Sequence, residues 1–111
     1  MPNKYDFNPS DKYIIHLRNK IWKLLPIYEG KDNKGNVIDN REKAYEKFYL
    51  SLSRLLVELT GAKNIETDSA YYVELIYLLE GMKTFNENEH SRVRDIVLHC
   101  CNLCEKLNEV S

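Results

Sequence analysis

Glycine is scarce in this chain, and what there is does not cluster. The 4 glycines stand apart, so neither a phosphate-cradling P-loop nor a dinucleotide-binding fingerprint can be assembled from them. Cysteine is nearly absent, with 3 residues in total, Cys100, Cys101 and Cys104. An odd count inside one expected helix makes a poor disulfide framework, and reduced thiols in a cytoplasmic protein are the simpler reading. No second cysteine pair accompanies Cys101-x-x-Cys104. Cys100 and Cys104 fall on a core stripe, Cys101 lies on its flank and His99 points the other way, so the four converging ligands of a zinc site are lacking. No metal and no other cofactor is expected. Charge of one sign is missing as well: 16 basic side chains against 17 acidic ones leave a net charge of -1. Nothing general draws such a chain to nucleic acid or to anionic lipid. No run approaches the roughly 20 apolar residues that span a bilayer, and residues 1–11 are polar without a signal-like apolar core. The expectation is no membrane and a cytoplasmic location.

What remains is helix. The chain has 111 residues, 43% hydrophobic and 30% charged, which suits one domain with one modest core. Residues 1–9 read as a polar lead-in and residues 10–108 as a single helical domain. Ile14, Leu17, Ile21, Leu24, Leu25 and Tyr28 recur at helical spacing. The first helix is expected over 10–25; Pro26 lacks an N–H and disfavours helical geometry at Leu25, so the helix should end or kink there. The Gly-, Asn- and Asp-rich segment 29–40 is a loop or a short β-hairpin, since Val37 and Ile38 follow a Lys34-Gly35-Asn36 turn. Asp39 or Asn40 can cap a second helix ending at Thr60, with Gly61 in the left-handed position that closes helices. Its stripe is Tyr45, Phe48, Tyr49, Leu52, Leu55, Leu56 and Leu59. A third helix follows Thr67 or Asp68 and ends near Gly81. A fourth starts between Asn86 and Ser91 and runs to about Asn108, with Val93, Ile96, Val97, Cys100, Leu103, Cys104 and Leu107 facing inward. The fold class is all-α: an antiparallel four-helix bundle with a hairpin or ordered loop between helices one and two.

The third helix is apolar on two sides. Tyr71, Tyr72, Leu75, Leu78, Leu79 and Met82 face the core, whereas Val73 and Tyr77 lie nearly opposite with Ala70 beside them. Leu50 and Val57 make a similar outer stripe on helix two, and Ile15 and Trp22 flank the core on helix one. A helix apolar all round is usually buried on both sides, and tyrosine suits interfaces. Ala70, Val73, Tyr77, Leu50 and Val57 are therefore the expected interface of a homodimer, or of a complex with another protein.

Three other groups of residues could carry function. Lys20, Lys23, Lys31 and Lys34 cluster near the end of helix one with Trp22 and Tyr28 nearby. A basic patch with aromatics can touch RNA or DNA, although a solvated lysine face is the commoner explanation. The Glu87-x-x-His90 pair lacks the second copy and the inward glutamates that a di-iron bundle needs. Finally, Arg94-Asp95-Ile96-Val97-Leu98-His99 places an arginine, a polar residue and a histidine on a late helix. That pattern resembles the signature of HEPN domains, small all-helical and usually dimeric proteins, many of them metal-independent ribonucleases. The resemblance implies Arg94, Asp95 and His99 as active-site residues, with His99 in acid–base chemistry and Arg94 on the phosphate. Read from residues alone, Arg94 and His99 form a solvated helix flank. The first expectation for function is a non-catalytic interaction module, with no catalytic residues; a HEPN-like ribonuclease or an inactive relative is the alternative.

Overall fold

Apolar residues spaced three and four apart wind the chain into four helices, each burying one stripe against the others. The structure, a computed structural model, describes residues 9–63, 69–86 and 88–110. The helices are α1 (Pro9–Glu29), α2 (Arg41–Lys63), α3 (Ser69–Gly81) and α4 (His90–Val110), with a 3-10 turn at Met82–Thr84. The lead-in up to residue 8 and the caps expected at Thr67 or Asp68 lie outside the described residues.

Neighbouring helices run antiparallel. On α1, Tyr13 and Lys20 both reach Glu58 near the far end of α2, while Tyr28 stacks edge-on against Phe48 near its start. Arg18 lies 3.6 Å from Glu105 of α4, and Tyr28 meets the opposite end of that helix at Glu89. α1 packs most extensively on α4 and next on α2, and α3 closes the bundle against α2 and α4. The core holds Leu17, Ile21, Leu24, Phe48, Leu52, Leu59, Tyr72, Leu75, Leu79, Val93, Val97, Cys100 and Cys104. Among the described residues the buried positions are all hydrophobic types, with the Tyr28 and Tyr72 hydroxyls the polar groups they carry, so apolar packing dominates the interior.

Several boundaries differ from expectation. α1 does not stop at Pro26 but continues through it to Glu29. A proline in a helix removes one hydrogen bond, and here the following turn is held from outside. Tyr28 is buried, donates its hydroxyl to the Asn86 carbonyl at 2.5 Å and accepts from the Glu89 amide at 2.7 Å. The helix then closes as a Schellman motif: the Lys31 amide bonds the Pro26 carbonyl at 2.9 Å, and the Gly30 amide bonds that of Ile27 at 3.0 Å. Gly30 has φ +73°, the left-handed conformation this motif requires. α2 likewise runs past Gly61 to Lys63, and Gly61 is not left-handed. One glycine costs a helix only about 1 kcal/mol, too little to end it. Asn40 is the cap, accepting the Lys43 amide at 2.8 Å.

The hairpin of the α1–α2 loop reduces to a single antiparallel bridge, Lys31 with Val37. Gly35 turns the chain at φ +84°, and the Asp32 carboxylate accepts the Lys34 and Asn36 amides, both at 2.9 Å. Those bonds, the Asn36 amide above all, hold Asp32 below the ordinary carboxylate range. On α2, Ala44 rather than Tyr49 completes the inner stripe: Ala44 is fully buried, while Tyr49 lies a step around the helix and is 43% exposed. Tyr71, Leu78 and Ile96 sit at the core's edge, half-buried.

Candidate functional site

α3 is short and strongly apolar, and its registration against α2 and α4 decides which of its two greasy sides is left over. Tyr72, Leu75, Leu79 and Met82 go inward. Because successive residues turn by about 100°, Val73 and Tyr77 then point away from the core. Val73 is 51% exposed and Tyr77 77% exposed, and Ala70 is exposed on the same side. On the adjacent α2, Leu50 at 51% and Val57 at 75% exposure lie seven residues, or two turns, apart on its outer side. Apolar hollows border both stripes. One of about 450 Å³ is lined by Tyr45, Tyr49 and Leu50 on α2. Another of about 490 Å³ lies between α3 and α4, lined by Tyr77, Leu78, Phe85 and Ile96 with Arg92 at its rim. The five residues expected at an interface thus occupy the outer surface of one antiparallel helix pair. Tyr49, at the margin of the α2 stripe, is also exposed and shares a hollow with Leu50.

The polar frame of this surface is well tied. Tyr45 donates its hydroxyl to the Phe85 carbonyl at 2.8 Å, fixing the turn between α3 and α4. The Arg92 guanidinium sits 4.5 Å from the Phe85 ring centroid and bonds Glu89 at 2.8 Å.

Arg94, Asp95 and His99 are all exposed on α4. His99 Nε2 lies 3.8 Å from Glu74 Oε1 of α3, and both side chains are about half exposed. Arg94 and His99 are five positions apart, hence about 140° apart around the helix. Within one chain they flank α4 on different sides and do not converge on a common point.

The four lysines separate. Lys20 and Lys23 line a cleft between α1 and α2 together with Arg54, whereas Lys31 lies in the bridge of the loop, 3.7 Å from Glu29, and Lys34 is exposed at the turn. Trp22 projects instead toward α4, where it borders a hollow with Arg18, Leu98 and Cys101. Aromatic and basic residues therefore do not alternate on one surface, as a nucleic-acid stacking platform requires. Arg54 is the member of the basic cleft that sequence reading missed, being distant in sequence from the lysines; its spacing of four from Glu58 on α2 was the available signal.

No family model, curated protein or solved structure matches the chain.

Function is accordingly read from this chain's own residues, and the cysteines contribute packing rather than chemistry. All three are free, with Cys100 and Cys104 buried and Cys101 half-buried. Burial pushes the Cys104 thiol up to about 12 and raises those of Cys100 and Cys101. A thiol nucleophile needs the opposite shift. Among the described residues no three His, Cys, Asp or Glu side chains are placed to hold a metal ion, and no helix is long and apolar enough to cross a membrane.

Proposed function

We propose that this chain is a small non-catalytic interaction module, of the accessory, adaptor, immunity or regulatory kind, working through the outer face of α2 and α3. One observation carries this reading. Val73 and Tyr77 remain 51% and 77% exposed on a helix whose opposite side is already buried in the core. Leu50, Val57 and Tyr49 add exposed apolar side chains on the neighbouring helix. Large apolar side chains left exposed together on a small domain support a contact site.

A second copy of the chain is the partner we assign. Two-fold pairing buries the same patch on both protomers, and charges of both signs border it: Lys83 lies 3.4 Å from Glu80 at the edge of α3. Half-exposed Leu, Val and Tyr side chains give about 1 kcal/mol each when covered. Four per protomer give a two-fold dimer about 8 kcal/mol of apolar burial, set against an association cost of about 4–15 kcal/mol. A dimer resting on these side chains alone is therefore millimolar at best. The cytoplasm, a reducing compartment, suits three free thiols.

Sedimentation velocity across a concentration series tests the proposal. The wild type is expected to sediment faster as concentration rises, and Tyr77→Glu to remain a folded monomer throughout. A wild type that stays monomeric at millimolar concentration and co-purifies with no partner contradicts it.

A further inference from the structure

A second site lies along the flank of α2 that meets α1. Where α1 and α2 pack, a cleft of about 230 Å³ opens, floored by Leu24, Ile27 and Leu55 and rimmed by Lys20, Lys23, Arg54 and Glu58. The rim is not a balanced ionic surface. Glu58 is already occupied: it accepts Lys20 Nζ at 2.6 Å and the Tyr13 hydroxyl at 3.1 Å. Burial alone would raise its carboxyl, yet the hydrogen bonds from Lys20 and Tyr13, joined by the charges of Lys20 and His16, together outweigh it and hold Glu58 below its ordinary value. Lys20 and Glu58 thus cancel. Lys23 and Arg54 have no acidic partner among the described residues. Two uncompensated cations therefore stand over an apolar floor, in a chain whose net charge is -1.

That arrangement selects its occupant. A cleft of about 230 Å³ is smaller than the roughly 300–1,000 Å³ that drug-sized ligands fill. Paired cations fit a carboxylate, which Arg54 can grip with two parallel N–H groups. The aliphatic floor fits an alkyl chain and offers no ring on which a nucleobase could stack. We infer that the α1–α2 cleft binds a small amphiphilic anion: a carboxylate held between Lys23 and Arg54, with a short alkyl chain lying on Leu24, Ile27 and Leu55. None of the five residues of the α2–α3 face lines this cleft, so the two can fail independently.

The test is a titration of the isotopically labelled full chain followed by amide NMR shifts, using sodium octanoate below its micellar concentration. Acetate supplies the charge without the chain, and octanol the chain without the charge. Octanoate is expected to saturate amides along the α1–α2 seam, with acetate and octanol each weaker by about tenfold or more. The double variant Lys23→Gln/Arg54→Gln, with its helical circular dichroism intact, is expected to lose about tenfold in octanoate affinity and to keep the self-association of the wild type. Four results overturn the inference: no saturable shift with octanoate, equal binding of octanol, unchanged affinity in the double variant, or shifts confined to Val73 and Tyr77. Binding of a short RNA oligonucleotide that depends on Lys23 and Arg54, with octanoate inert, overturns it equally.

Discussion

Three glycine-to-alanine changes should have three different outcomes, although composition treats the glycines alike. At Gly30 the backbone has φ +73°, and an added Cβ would lie 2.8 Å from the Asp39 carbonyl oxygen and 3.2 Å from Ala44 Cβ. Forcing an L-residue into the left-handed region costs about 1–2 kcal/mol. The clash adds about 1–3 kcal/mol, as overpacking does elsewhere, because both obstacles are fixed. Ala44 is buried, and the loop around Asp39 is pinned where the Gly30 carbonyl accepts the Ile38 and Asp39 amides at 2.8 and 3.1 Å. Gly30→Ala should therefore lose about 3 kcal/mol. Gly35, at φ +84° with nothing within 4 Å of its Cβ position, carries only the backbone penalty, and Gly35→Ala should lose about 1 kcal/mol. Gly61 sits inside α2 with the same open space, so Gly61→Ala should gain about 0.5–1 kcal/mol. Urea unfolding followed by far-ultraviolet circular dichroism measures all three, read as midpoint shifts at constant slope. The reasoning fails if Gly30→Ala unfolds within about 0.5 kcal/mol of the wild type, or if Gly35→Ala is as damaging as Gly30→Ala. A destabilising Gly61→Ala would mean that α2 ends where the sequence suggested.

Further outcomes follow from the same contacts. Tyr28→Phe strands the Asn86 carbonyl and the Glu89 amide and should cost about 1–3 kcal/mol in the same urea assay, whereas Tyr77→Phe should cost nothing measurable. In thiol titration with an aromatic disulfide at pH 8, Cys101 should react first and Cys100 and Cys104 only on unfolding. With Cys104 titrating at about 12, its thiolate fraction there is about one in ten thousand. The raised thiol values also set a pH dependence. Unfolded thiols ionise from about 9.0 and the buried Cys104 only near 12, so their contribution is complete below pH 9 and declines as pH climbs toward 12. Equal stability at pH 8 and pH 11 would refute it. As for Arg94 and His99, RNA incubated with the wild type and with His99→Ala should remain intact in both; cleavage by the wild type alone would establish the nuclease reading instead.

How far the sequence reveals this molecule depends on which contacts are local. The inner stripes of α2 and α4 are legible because each is set by periodicity within one helix: Phe48, Leu52 and Leu59 are buried, as are Val93, Val97 and Cys104. The outward placement of Val73 and Tyr77 is legible for the same reason, since helical spacing opposes them to Leu75 and Leu79. The end of α1 is not. Pro26 and Gly30 obey local rules, but the turn between them is held by Tyr28 reaching residues 58 and 61 positions away, and no local pattern encodes that reach. Gly61 misleads in the other direction, because the sequence shows a helix-ending residue type without the competing pull of the residues around it. The α1–α2 cleft is the least legible feature. Lys20, Lys23 and Arg54 converge only once the two helices pair in one register, and Lys31 and Lys34, nearer in sequence to Lys23 than Arg54 is, go elsewhere.

The α2–α3 face is tested most directly by a dilution series of amide NMR spectra, from millimolar to low micromolar protein. Self-association through this surface predicts concentration-dependent shifts at Leu50, Val57, Ala70, Val73 and Tyr77, with Trp22, Arg94 and Leu98 unmoved. Spectra that superimpose at every concentration, or shifts gathered around Trp22 and Leu98, would contradict it.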